Sequence, residues 1–477
     1  MSFLSTTKNK FLFLLSIFLL AEIFSWLAFY FSWINLFILI IIALVTIVLI
    51  WQKPIFALYI PLAEIVWGSL GHSFDYGFLS IRLVIFLIII LFWFSKNIFK
   101  IKKWQIVTDT RLWPVYLMIL FLLMLGIVTG YYKNFTKLDI FLDVNAYFYL
   151  LYLPIWYQVY EKKYLKNIFV IIKAAVLVIT LKTLIVFNVF SQYLHGIDND
   201  FYRWIRDTRT GEITDMGNNF YRIFFQSQFY LLIAWFWLFI KNWQKFIWLR
   251  FIFLSFISAA LLISLSRSFW LGGVVALIFL FINLLILNKQ KFWLHVLRVL
   301  AIGCGAFLIV QVFYNVPKIN NINILQQRAT DIHEPAVNSR LQLWDPLLQE
   351  IKYYPFTGHG FGKQVSYHSQ DPRVEGLHSV YAFEWGWLDM WLKAGFIFVL
   401  AFIYWFWLLY KRAYGIVKHD IQMALFVLSS ITSLIIIHFF TPYLNHPLGL
   451  GLLILVTILI SYEKRTDHNY KSFNLER

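Results

Sequence analysis

The sequence predicts an all-α integral membrane protein of about fourteen transmembrane helices, and three observations support that expectation. Of 477 residues, 61% are apolar, 21% aromatic and only 14% charged, which leaves too little polar surface to keep a globule of this length in water. The apolar residues fall in repeated runs of about 17 to 25, the length that crosses a hydrocarbon core about 30 Å thick at 1.5 Å per residue. Basic residues cluster in every second loop, as the positive-inside rule requires if the N-terminus is cytoplasmic.

In the first half, apolar runs place helices at Phe11–Phe31, Trp33–Trp51, Pro54–Leu70, Leu79–Ser95, Leu112–Tyr131, Ile140–Val159 and Leu165–Phe190. The first follows Lys8 and Lys10 with no small-residue cleavage site behind it, so it reads as a retained helix. The second half places helices at Tyr221–Ile240, Phe246–Leu265, Ser268–Leu287, Phe292–Phe313, Leu392–Leu409, Ile421–Phe440 and Leu448–Ile460. Between them, Lys53, Lys96 to Arg111, Lys162 to Lys166, Lys241 to Lys245, Lys289 to Lys291, Lys411 to Lys418 and the tail from Lys464 all fall on one side. A missed or invented helix would break that alternation.

The formal charge of +17 is therefore a topology signal joined to an attraction for anionic lipids, each nearby cation contributing about 1 kcal/mol, and no nucleic acid is needed. Cys304 is the only cysteine, which excludes an intramolecular disulfide and a cysteine metal cluster. In blocks, residues 1–262 hold the N-terminal helices, 263–409 a core with a large external loop at 314–378, and 410–477 the last helices and a cytoplasmic tail.

Two long loops are expected on the external side, Ser191 to Phe220 and Tyr314 to His378. The second holds six Lys or Arg, six Asp or Glu and four His, neutral overall but dense in groups capable of chemistry. Within it, Asp345-Pro346 reads as a helix start, with Leu347, Leu348, Ile351 and Tyr354 on one face and Pro355 and Gly358 as the stop. Ser379 to Lys393 then crowds Phe383, Trp385, Trp387 and Trp391 beside Glu384 and Asp389, a composition suited to a helix at the membrane interface.

Arg267 stands at the external end of one helix and the start of the next, and Arg340 lies ahead of the loop helix. Arg222 begins another helix beside Tyr221. Gly358, Gly360 and Gly362 let the backbone turn tightly and approach a ligand, and His378 follows at the loop's end. Each has a plainer alternative: snorkelling for Arg267, a surface ion pair for Arg340, an interfacial anchor for Arg222, a structural role for His378. Taken together they suit an anionic diphosphate held by guanidinium forks, with an imidazole able to accept a proton from a sugar hydroxyl.

Ser266-Arg267 with Trp270, Arg340 with Trp344, Pro355 with Gly358-x-Gly360-x-Gly362, and His378-Ser379 ahead of a helix resemble the O-antigen ligase and polymerase superfamily of polytopic membrane glycosyltransferases, over roughly Ile263 to Leu409. The resemblance implies a GT-C-like bundle in the bacterial inner membrane, with both termini cytoplasmic and the catalytic loop periplasmic. It implies an enzyme without cofactor or metal that moves a glycan from a polyprenyl-diphosphate-linked donor to a glycan or lipid acceptor. By the same analogy, Arg267, Arg340 and Arg222 hold the diphosphate and His378 is the base. One departure bears on the acceptor: the family pattern has a shorter spacing to Gly-x-x-Gly, whereas fifteen residues separate Ser379 from Gly395 and Phe398 replaces the second glycine. Polymerase is therefore kept beside ligase.

A lipid-linked sugar flippase has a similar helix count, but transporters place ionisable groups near the midplane and keep external loops short. A metal-dependent transferase would need an external acidic pair, for which Asp198 and Asp200 are the candidates. Glu64 and Arg82 are expected to pair, and Lys173 and Lys182 to find neighbours within the bundle.

Overall fold

The computed structural model describes residues 6–97, 109–192, 198–241, 247–287, 292–314, 335–369 and 376–475. In chain order the helices are α1 (Thr7–Tyr30), α2 (Ser32–Gln52), α3 (Phe56–Trp67), α4 (Ile81–Asn97), α5 (Leu112–Tyr132), α6 (Lys137–Val144) and α7 (Tyr152–Val159). They continue with α8 (Leu165–Ser191), α9 (Asp198–Asp207), α10 (Gln228–Ile240), α11 (Ile247–Ile263), α12 (Arg267–Leu287) and α13 (Phe292–Tyr314). The last four are α14 (Pro335–Tyr353), α15 (Gly386–Ile416), α16 (Ile421–Phe440) and α17 (Pro447–Leu475). Three two-stranded antiparallel sheets punctuate them: β1 (Asp75–Tyr76) with β2 (Leu79–Ser80), β3 (Gly211–Asp215) with β4 (Tyr221–Phe225), and β5 (Val365–Ser369) with β6 (Gly376–Val380).

Every apolar run read from the sequence is helical for most of its length. Among the described residues, nine helical segments are long and apolar enough to cross a membrane, and Phe56–Trp67, Gln228–Ile240, Ile247–Ile263 and Pro447–Ser461 are shorter apolar helices. Burial separates two kinds of span. In α1, α2 and α13 only 17% of the apolar window is buried, so these helices are apolar nearly all round and face lipid. In α8 the share is 72%, as befits a helix surrounded by others.

The chain divides into two compact units, Met1–Phe99 with Val159–Gln326, and Lys100–Gln158 with Gln327–Arg477. In the first, α8 packs against α1, α3, α10, α11, α13 and β4. The expected pairing of Glu64 with Arg82 is found there at 2.9 Å, and Lys182 meets Glu22 at 2.8 Å. In the second, α15 packs against α5, α14, α16 and α17. There Asp109 accepts from the Leu112 amide at the start of α5 and also from Arg412 at 2.6 Å.

Four local expectations need correction. The segment from Tyr221 is a strand before it is a helix: Tyr-Arg-Ile-Phe-Phe is aromatic and β-branched, and it pairs with Gly211–Asp215 across a turn in which Gly217, Asn218 and Asn219 take positive φ. Asp345-Pro346 is not a helix start, because α14 already begins at Pro335 and Pro346 lies inside it. The lost backbone donor is tolerated since Leu343, Leu347 and Ile351 bury one stripe of α14 in a cluster with Val365, Tyr367, Phe383 and Leu392. His378 does not adjoin a helix but sits in the middle of β6, and α15 starts only at Gly386. The run at Ile140–Val159 is broken by a 3-10 stretch at Asn145–Leu151.

Candidate functional site

In the first unit the β3–β4 hairpin sets Arg222 opposite Thr214 and aims its guanidinium at the α11–α12 turn. Arg222 Nε donates to the Ser264 carbonyl at 3.1 Å, its planar group lies 5.0 Å from the Phe224 ring, and Nη1 is 3.6 Å from Glu212 Oε2. The turn is sharp, with Leu265 at φ 45°, and the Ser266 and Ser268 hydroxyls lie 3.2 Å apart beside it. Trp270 Nε1 donates to Leu261 O at 3.1 Å, tying the first turn of α12 back onto α11.

Arg267 is the first residue of α12. A cation at a helix N-terminus opposes the positive end of the helix dipole, so position alone does not stabilise it. Arg222 feels the same charge. Burial holds its guanidinium below the usual range, Glu212 opposes that, and the like charge of Arg267 adds to it. Two arginines and a helix N-terminus thus share one corner of this unit, which is the potential an anion seeks.

In the second unit the β5–β6 hairpin pairs His378 with Tyr367, their rings 6.0 Å apart at 76°. Val365 and Tyr367 turn inward against α14, while Ser366 and Ser379 face outward with their hydroxyls 2.6 Å apart. Arg340 lies in α14, ahead of the buried stripe.

The glycine-rich segment between α14 and β5 is wedged into the bundle. The His359 amide donates to Leu392 O at 2.7 Å, Gly360 to Lys393 O at 2.9 Å and Phe361 to Gly126 O at 3.1 Å; Gly358 donates back to Tyr354 O at 3.0 Å. Gly358 and Gly360 both have positive φ, and a Cβ on Gly360 would lie 2.4 Å from the Gly130 nitrogen. Their amides are donated to protein carbonyls, so these glycines supply close backbone approach here. On the other side of the wedge, α15 breaks at Gly395 (φ 83°), and the freed Phe396 amide donates to Pro355 O at 2.9 Å.

Beneath this wedge is a charge group that the residue motifs did not reveal. Lys393 Nζ lies 2.6 Å from Asp143 Oδ1 and 2.6 Å from Asp389 Oδ1, and all three side chains are buried. Asp143 Oδ2 accepts the Gly362 amide at 2.7 Å, Asn445 donates to Asp389, and the Tyr147 hydroxyl donates to Asn445 at 2.7 Å. Asp389 and Lys393 stand one helical turn apart, a spacing that favours pairing, whereas Asp143 reaches them only through the packing of α6 against the wedge. Among the described residues, no group of three or more His, Cys, Asp or Glu side chains gathers as a metal site, and Asp198 and Asp200 open α9.

Apolar helices bearing polar hairpins and buried charge networks define a polytopic integral membrane protein. Residues 251–403 match the family model described as O-Antigen ligase, which supports an O-antigen ligase/polymerase-like family and, with the nine apolar spans, points to an integral protein of the bacterial inner membrane. The match runs from α11 into α15 and takes in Arg267, Arg340, Gly358, Gly360 and His378; Arg222 and Asp143 lie outside it. No curated protein and no solved structure matches the chain.

Proposed function

We propose that the chain is a membrane glycosyltransferase that moves a glycan from a polyprenyl-diphosphate-linked donor to an acceptor at the external face, as an O-antigen ligase does. The observation that carries this reading is the neighbouring pair Arg222 and Arg267 at the start of α12, within a chain whose residues 251–403 match the ligase family. Guanidinium remains charged, is weakly hydrated and binds phosphate oxygens in a fork, so the pair suits a diphosphate leaving group at a membrane boundary.

In this reading Arg340 adds to donor binding and His378 accepts the proton of the attacking hydroxyl. The bond from the anomeric carbon to the diphosphate oxygen breaks as the bond to the acceptor oxygen forms, and the diphosphate leaves with the carrier lipid. No cofactor or metal is assigned a step. Gly358 and Gly360 shape the loop that precedes the His378 hairpin.

The test incubates purified protein, wild type, R267A and H378A, with a lipid-linked oligosaccharide and candidate acceptors, following products by gel and mass spectrometry. A single transfer to a distinct acceptor, lost in both variants, supports a ligase. A ladder of lengthening chains assigns the polymerase reading instead. Movement of the lipid-linked substrate between leaflets with no glycan product overturns the enzyme reading in favour of a flippase.

A further inference from the structure

The second unit carries a basic cluster that the proposed reaction does not use. Lys133 caps the C-terminal end of α5, and its ammonium group is buried without a hydrogen-bond acceptor, 3.6 Å from the centroid of the Tyr354 ring. Lys363, just past the glycine wedge, lies with Nζ 3.0 Å from Glu350 Oε2. The two lysines are near enough to repel, and Glu350 is the carboxylate that faces both. His359 adds no charge at neutral pH: burial pushes its pKa down, and Nε2 donates to the Glu350 carbonyl at 2.9 Å. The described cluster therefore has two ammonium groups against one carboxylate.

A buried ammonium held only against a ring face has lost hydration that the ring does not replace. An anion would supply the missing acceptor and the missing charge. The position says what kind of anion. Lys133 immediately follows a membrane-spanning segment, and Tyr131, Tyr132, Tyr353 and Phe356 are all exposed around it, as aromatic side chains are at headgroup level. We propose that Lys133 and Lys363 form a binding site for the phosphate of an anionic membrane lipid, which seats the end of α5 and the glycine wedge at the bilayer boundary.

Native mass spectrometry of the purified full-length protein tests this with phosphatidylglycerol, phosphatidylcholine and inorganic phosphate as separate probes. Wild type should bind phosphatidylglycerol about ten-fold tighter than phosphatidylcholine, and K133Q/K363Q should show no preference between them. K163Q, which removes an exposed lysine elsewhere, should retain the wild-type preference. K133Q alone removes the ammonium that lacks an acceptor and carries the same expectation, so a misfolded double variant leaves the test intact. No preference in wild type, or a preference that survives in K133Q, overturns the proposal. Inorganic phosphate bound as tightly as phosphatidylglycerol would assign the site to a soluble phosphate and overturn the lipid assignment.

Discussion

Lys393 Nζ lies 2.6 Å from Asp143 Oδ1, a contact that spans 250 positions of sequence and joins the break in α15 to the helix before the 3-10 stretch. The Asp143 carboxylate also accepts the Gly362 amide, so one side chain ties a buried charge to the loop leading into β5. From β5 the link passes through the hairpin ladder to His378. The ion pair thus does two things: it neutralises charge in an apolar setting, and it fixes the entry of the strand pair that carries the candidate base.

Breaking this pair should be costly. Removing one member of a buried ion pair leaves the other uncompensated, typically at a cost of about 3–5 kcal/mol. K393M strands two carboxylates and should lower the unfolding temperature in detergent more than D143N does. In D143N/K393M the loss should be smaller than the sum of the single losses, because the double variant no longer strands the carboxylate that K393M leaves at position 143. Additive losses would mean that the two residues do not act as a pair.

The glycine wedge makes a steric prediction. A Cβ on Gly395 would lie 2.0 Å from the Phe356 carbonyl oxygen, in a backbone conformation that L side chains rarely adopt. G395A and G360A should each destabilise by about 2 kcal/mol or more. G415A, at a helical glycine with nothing within 4 Å, should be neutral or slightly stabilising. The check is thermal unfolding of the three variants side by side, and a G395A as stable as G415A would refute the wedge geometry.

Much of the architecture was legible because lipid imposes a strict code: an apolar run needs a helix to satisfy its backbone, and each run is helical for most of its length. The hairpins were not legible. Apart from Arg222, Tyr221–Phe225 is aromatic or aliphatic and runs almost directly into the apolar helix after it, so hydropathy alone does not divide them. The strand was signalled by turn chemistry instead, in Met216-Gly217-Asn218-Asn219. The candidate site shows the same limit. Arg267 stands out as a polar group at the start of a helix, whereas Asp143 and Lys133 gain their significance from residues more than 200 positions away.

His359 should make stability depend on pH in a defined direction. Its folded pKa lies below the ordinary histidine value because it is buried, with Lys363 and Lys133 acting the same way. The unfolded chain therefore binds the proton first, and stability is lost as pH falls below about 6.5, levelling off only beneath the depressed folded value. H359N keeps a donor for the Glu350 carbonyl but does not titrate. Unfolding temperatures of wild type and H359N, compared from pH 8 to pH 5, should diverge below about pH 6.5 with wild type losing more. Parallel curves would show that His359 is not the titrating group.

Arg267 allows a test that separates an anion site from a structural anchor. Its charge lies close enough to act on the buried Arg222 and sits at the positive end of α12, so both effects oppose its presence in the folded chain. R267A therefore tests whether the residue serves the fold or the substrate. If the pair binds diphosphate, the same variant should lose about 10²-fold or more in glycan transfer, the usual consequence of removing one donor to a developing negative charge. R267K should fall between, since lysine restores the charge without the two-pronged geometry. Thermal unfolding and product formation measured on one preparation decide the matter: loss of activity without loss of stability assigns Arg267 to the substrate, and parallel losses assign it to the fold.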